Sequence, residues 1–101
     1  MSTLMVLYGR PTDPARFDAY YGERHLPLVR RLPGLKSVGF SRSGVEVLAG
    51  NDLYLVVRME FDTGDAVKAA LSSPEGQAAA ADLANFADGG VQIVAFDEVA
   101  T

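Results

Sequence analysis

The sequence predicts an α+β domain in which strands and helices follow one another as β-α-β-β-α-β. Three observations carry this reading. Apolar, β-favouring runs lie at 3–9, 53–61 and 91–97. A helix start, Asp13-Pro14, places an N-cap acceptor before a proline at the first helical position, and Ser73-Pro74 repeats the device. With 101 residues the chain has room for a single domain, 1–101, around one core.

In order, TLMVLYG (3–9) is the first strand, and Arg10, Pro11 and Thr12 make the turn that follows. The first helix carries Phe17, Tyr20, Tyr21, Leu28, Val29 and Leu32 at helical spacing. Pro27 has no N–H and disfavours helical geometry at Leu26, so the expectation is a helix over about 13–24, a break at His25–Leu26 and a short restart at Pro27. Pro33-Gly34 stops the segment. LKSVGFSR (35–42) is the second strand, and 43–52 is a long connection.

LYLVVRMEF (53–61) is the third strand. Its alternation sets Leu53, Leu55, Val57, Met59 and Phe61 against Tyr54, Val56, Arg58 and Glu60. The second helical region starts near Thr63–Asp65, breaks at Ser72-Ser73-Pro74 and resumes through EGQAAAADLANFA, a run of strong helix formers. Asp88-Gly89-Gly90 ends it, and VQIVAFD (91–97) closes the chain's order of elements. With right-handed crossovers this is a ferredoxin-like sandwich, a four-stranded antiparallel sheet with both helical layers on one face.

The uncovered face should then alternate to polar residues, and it does not. Met5, Leu7, Tyr54, Val56, Val94 and Phe96 fall on it. So large an apolar patch calls for a cover, and the simplest is a second copy, two sheets closing as a dimeric α+β barrel. The alternative is a monomer whose strands curl over their own core.

Composition limits the chemistry. The net charge of −4 argues against a nucleic-acid backbone as partner, and no stretch approaches a membrane span. The absence of cysteine removes disulfides, thiolate metal sites and a Cys nucleophile, and with one histidine no metal site can be read. No cofactor motif is present; the expectation is no cofactor, no metal and a cytoplasmic location.

His25, the sole histidine, is the side chain suited without perturbation to proton transfer near neutrality, and Tyr21 lies four residues earlier. Its second reading is structural, an imidazole bonding a free carbonyl at the helix break. Arg58 and Glu60 interrupt an apolar strand; they pair with each other, or Arg58 holds a ligand carboxylate or phenolate. Tyr8, Tyr54 and Phe96 are placed to line the same cavity, with packing as the alternative.

LYGRP (7–11), FDAYYGERHLPL (17–28), PGL (33–35) and SPEGQAAAADLANFADGGV (73–91) together resemble the EthD-domain family, named after a protein of ethyl tert-butyl ether degradation. The resemblance implies a ferredoxin-like fold pairing as a dimeric barrel. It matches His25 to the histidine of the family's Tyr-Tyr-x-x-x-His-x-Pro-Leu pattern. Family members often carry the label reductase, and related barrels include cofactor-free monooxygenases, polyketide cyclases, dehydratases and lactone isomerases. Three functions follow as expectations. The first is a cofactor-independent enzyme moving a proton through His25 on a small aromatic, polyketide-like or lactone metabolite. In it Tyr21 and Arg58 steady the developing oxyanion, and Tyr8 and Tyr54 bind substrate. The second is a non-catalytic binding or accessory protein for a hydrophobic metabolite or a partner oxidase. The third is haem binding through His25.

Overall fold

The computed structural model describes residues 1–99 and 101. Among them, β1 (Ser2–Tyr8), β2 (Ser37–Phe40), β3 (Leu55–Phe61) and β4 (Val91–Asp97) form one antiparallel sheet in the order β2-β3-β1-β4. The first crossover is α1 (Pro14–Tyr20), a π turn over Tyr21–His25 and α2 (Leu26–Val29). The second is α3 (Gly64–Ser72) and α4 (Pro74–Asp82), which tightens into a 3-10 turn over Leu83–Asn85. This is the ferredoxin-like α+β arrangement the element order implies.

The cap signals act where the sequence sets them. The Asp13 side chain accepts from the Arg16 N–H at 3.1 Å, and the Ser73 hydroxyl accepts from the Gly76 N–H at 3.0 Å. Gly76 has a further role, because a Cβ there would stand 2.1 Å from the Ala70 carbonyl oxygen. Only glycine lets α4 leave α3 at so sharp a corner.

Strand register sorts the faces. Leu4, Val6 and Tyr8 pair with Met59, Val57 and Leu55 on one side and with Ala95, Ile93 and Val91 on the other. All lie on the helix-covered face. Phe17, Tyr21, Val29, Val67, Ala70 and Phe86 close over them to make the core. The opposite face carries Met5, Leu7, Val56, Val94 and Phe96, with Phe96 44% exposed.

Three expectations change. The helix does not break at His25–Leu26. The Leu26 N–H bonds the Tyr21 carbonyl, five residues back, and Leu26 keeps helical angles (φ −56°, ψ −39°). In a regular helix the Pro27 ring would meet the carbonyl four residues earlier; one wider turn relieves that clash and keeps the helix running. Next, β3 starts at Leu55, so Leu53 and Tyr54 lie outside it. Tyr54 turns under the helices, its ring 5.3 Å from that of Phe17, and does not join the open face. Last, β2 is shorter than 35–42, running from Ser37 to Phe40.

The LYGRP and ADGGV stretches meet directly. The Gly9 N–H donates to the Gly90 carbonyl at 2.9 Å. A Cβ on Gly9 would sit 2.1 Å from the Gly89 oxygen, and one on Gly89 would sit 2.2 Å from that of Arg10. The end of β1 and the approach to β4 therefore touch as bare backbone.

Candidate active site

The π turn decides which side chains converge. Tyr20 and His25 are five residues apart, and at about 100° per residue a regular helix would splay them by about 140°. The widened turn returns both to the side of Asp82, at the C-terminus of α4. Tyr20 Oη donates to Asp82 Oδ1 at 2.6 Å, and His25 Nδ1 lies 2.9 Å from Asp82 Oδ2. Asn85 Nδ2 donates to Oδ1 at 2.9 Å.

His25 is buried, 4% exposed, with its ring centroid 4.7 Å from Phe86 and 5.7 Å from Tyr21. Burial lowers its pKa, against the opposing pull of Asp82, so the imidazole is neutral near pH 7. Burial of the Asp82 carboxyl acts to raise its pKa, but hydrogen bonds from Tyr20, Asn85 and His25 outweigh it and hold the group below its ordinary value. A neutral imidazole beside a carboxylate carries its proton on Nδ1 and donates it to Asp82. Nε2 is left with a free lone pair, as a general base requires. His25 also lines a narrow apolar slot of about 50 Å³ with Tyr8, Gly76, Ala80, Leu71 and Ile93. Leu71 and Ile93, 43% and 46% exposed, stand at the surface end of that wall.

A larger cleft of about 830 Å³ lies between α1, the end of β2 and the connection after it. Phe17, Tyr21, Phe40 and Tyr54 give it an aromatic wall, with Asp18 and Arg42 among its polar groups. Tyr54 is fixed in place. Its hydroxyl donates to Asp18 Oδ1 at 2.8 Å, and Arg10, paired with Asp52 at 2.8 Å, lies over its ring. Tyr21 separates the two cavities, since it lines the large cleft and packs on His25.

Of the residues singled out by sequence, the fold gathers His25, Tyr21 and Tyr8 into one aromatic cluster and sets Tyr54 beside it. Tyr8 is 1% exposed under the helices, and burial drives its phenol pKa up. Arg58 lies apart. It points from β3 to the open face, bound to Glu60 at 2.8 Å and Glu98 at 3.2 Å. The expectation that Arg58 shares a cavity with His25, Tyr8 and Tyr54 is corrected by strand alternation, which puts it across the sheet from them within one chain. Phe96 lies on the same open face as Arg58. Sequence reasoning missed Asp82, Tyr20 and Asn85. The available signal was a lone carboxylate ending an alanine-rich helix, three residues before an amide.

Fold and site together define a ferredoxin-like α+β domain built around a buried His–Asp pair. The chain belongs to the EthD domain family, whose model matches residues 9–90. An uncharacterized 11.0 kDa protein from the thcB-thcC intergenic region of Rhodococcus erythropolis is 40% identical over 100 residues, 97% of this chain and 95% of the relative. The crystal structure of an ethyl tert-butyl ether (EthD) family protein from Bacillus halodurans superposes with a TM-score of 0.87 at 29% identity, over 98% of this chain and 99% of that one.

More distant likenesses show the fold alone. A dimeric protein of ferredoxin-like fold from Bacteroides fragilis gives a TM-score of 0.65 at 20% identity, over 96% and 95% of the two chains. SnoaB, a cofactor-independent oxygenase from Streptomyces nogalater, gives 0.61 at 19% identity, over 99% and 95%. Among the described residues no helix is long and apolar enough to cross a membrane, and no cluster of three or more His, Cys, Asp or Glu could hold a metal ion.

Proposed function

We propose that the protein is a cofactor-independent enzyme that removes or returns a proton on a small aromatic, polyketide-like or lactone metabolite. His25 is the general base and Asp82 its positioning partner. The observation that carries this reading is the buried Nδ1–Asp82 contact, which favours the tautomer with its lone pair on Nε2, in a ring that lines the apolar slot. Such a base needs neither metal nor cofactor to take a proton from a carbon made acidic by a neighbouring carbonyl. The likeness of fold to a cofactor-independent oxygenase is in keeping with chemistry of that kind.

Deuterium incorporation tests the reading without knowledge of the natural substrate. Aryl ketones, 1,3-diketones and unsaturated lactones are incubated with the protein in D2O and followed by mass spectrometry. At least one class should exchange its α-hydrogen faster than it does without the protein, and His25→Ala should remove most of that acceleration. An acceleration undiminished in His25→Ala, or none for any class, rules the assignment out.

A second reading, that the protein binds a hydrophobic metabolite without converting it, is favoured by one observation. The 830 Å³ cleft is the roomier cavity, and His25 does not line it. A compound held there and recovered unchanged would support that reading.

For assembly we propose a homodimer paired through the open faces of two sheets. The apolar residues on that face and the dimeric state of a protein of like fold support it.

A further inference from the structure

Asp82 is the last residue of α4, where the helix dipole turns its negative end toward the carboxylate. Hydrogen-bond donors offset that placement, and they are divided unevenly between its two oxygens. Oδ2 meets the His25 ring alone among the described residues, at 2.9 Å. Oδ1 accepts two bonds, from Tyr20 Oη at 2.6 Å and from Asn85 Nδ2 at 2.9 Å. Tyr20 is the more firmly placed donor. It is half-buried where Asn85 is exposed, and its ring stacks on Phe86 with centroids 5.2 Å apart at 21°. Phe86 in turn lies 4.7 Å from the His25 ring.

A carboxylate shares one negative charge between its oxygens, and donors on one oxygen draw charge away from the other. The Tyr20 hydroxyl on Oδ1 therefore leaves less charge at Oδ2, where an imidazolium would be stabilised. Of the other titratable groups at the ring, Tyr21 packs on it from the π turn at 5.7 Å, and Tyr8 of β1 shares its slot. Burial raises the pKa of both phenols, so they are uncharged near neutrality. Arg24, exposed, acts on Tyr20 from outside. Among the described residues Asp82 is thus the ionised group in contact with His25.

We propose that Tyr20 is a positioning residue that acts through Asp82 to weaken His25 as a base and keep it from being trapped as an imidazolium. Its hydroxyl ties down Oδ1, turns Oδ2 to the imidazole and takes part of the charge that would otherwise hold the proton. A base that gives its proton back readily suits removal and return on one metabolite. The effect on turnover rests on the reading of His25 as the base; the coupling itself is present in the resting protein.

His25 is the chain's only histidine, so 15N-histidine labelling of the full protein gives one imidazole, whose titration and tautomer are read by NMR. Tyr20→Phe removes the hydroxyl and keeps the stacked ring. The His25 midpoint should rise by about 0.3–1 pH unit, with the proton of the neutral form still on Nδ1. Asn85→Ala should raise it less, and the double variant more than either. 3-Fluorotyrosine at position 20, a stronger donor on the same ring, should lower it. Circular dichroism of each variant shows that the fold is retained. A midpoint unmoved or lowered by Tyr20→Phe would overturn the proposal, as would one unmoved or raised by the fluorinated ring. Lower stability with an unchanged midpoint would also overturn it, making Tyr20 a tie of the fold alone. In deuterium exchange, the acidic limb should move with the midpoint. Absent exchange with a shifted midpoint would strike His25 as the base and leave the coupling. Exchange with an unmoved midpoint would strike the coupling and leave the base.

Discussion

His25 Nδ1 and Asp82 Oδ2 meet at 2.9 Å across a separation of 57 residues, joining the first helical crossover to the second. Removing the imidazole should lower deuterium exchange by about 10²–10⁴-fold, the usual worth of a placed general base. Asp82→Asn keeps the shape and removes the charge. It should cost about 1–3 kcal/mol in urea unfolding, because Tyr20, His25 and Asn85 all lose a charged acceptor. An Asp82→Asn protein as stable as the parent would mean that the cluster contributes nothing to the fold.

The pH dependence follows from the direction of the His25 shift. Its folded pKa lies below the ordinary value near 6.5, so between the two the unfolded chain binds the extra proton and the folded one does not. This contribution to stability is full above about 6.5 and is lost as pH falls toward the folded pKa. Exchange activity should show an acidic limb with its midpoint below 6.5, since protonation of Nε2 removes the base. NMR titration of the imidazole gives the midpoint directly; a value above 6.5 would contradict the assigned environment.

Bare-backbone contacts make specific substitutions costly. Gly76→Ala brings a Cβ against the Ala70 carbonyl, and Gly89→Ala does the same at Arg10. Each should destabilise by about 1–3 kcal/mol through forced backbone shifts, measured by thermal or urea unfolding. Gly22→Ala, with no atom within 4 Å of the added methyl, should be neutral or slightly stabilising.

The assembly is open to a direct check. Val94 lies on the open face, paired with Met5 of β1. Val94→Glu should convert a homodimer to a monomer in light scattering at micromolar concentration, with circular dichroism unchanged. A parent chain that is already monomeric there would remove the proposed pairing.

Local signals carried most of the fold. Asp13-Pro14 and Ser73-Pro74 cap the helices they mark, because capping is settled within three residues. Strand alternation on β1 and β4 sorted the faces correctly. It failed at Tyr54 because the strand begins one residue later, and outside a strand the period of two no longer applies. Pro27 read as a breaker; a wider turn and a break answer the same missing N–H, and the contacts of Tyr20 and His25 with distant Asp82 choose between them. His25 was legible as the chain's only imidazole. Asp82 was not, because nothing within α4 says that its carboxylate faces a histidine 57 residues earlier.

The ion cluster on the open face bears on how two copies would meet. Arg58 serves two carboxylates, Glu60 and Glu98, and the pull of Ser37 and Arg58, with the N-terminal ammonium adding to it, holds the Glu60 carboxyl below its ordinary value, so two cations answer two carboxylates. Bringing two such faces together therefore sets no net like charge between them, and the apolar contact decides the pairing. Salt screens exposed charges over about 10 Å at 0.1 M and leaves apolar contact untouched. Self-association through this face should therefore change little as ionic strength rises, unlike attraction between oppositely charged surfaces, which salt weakens.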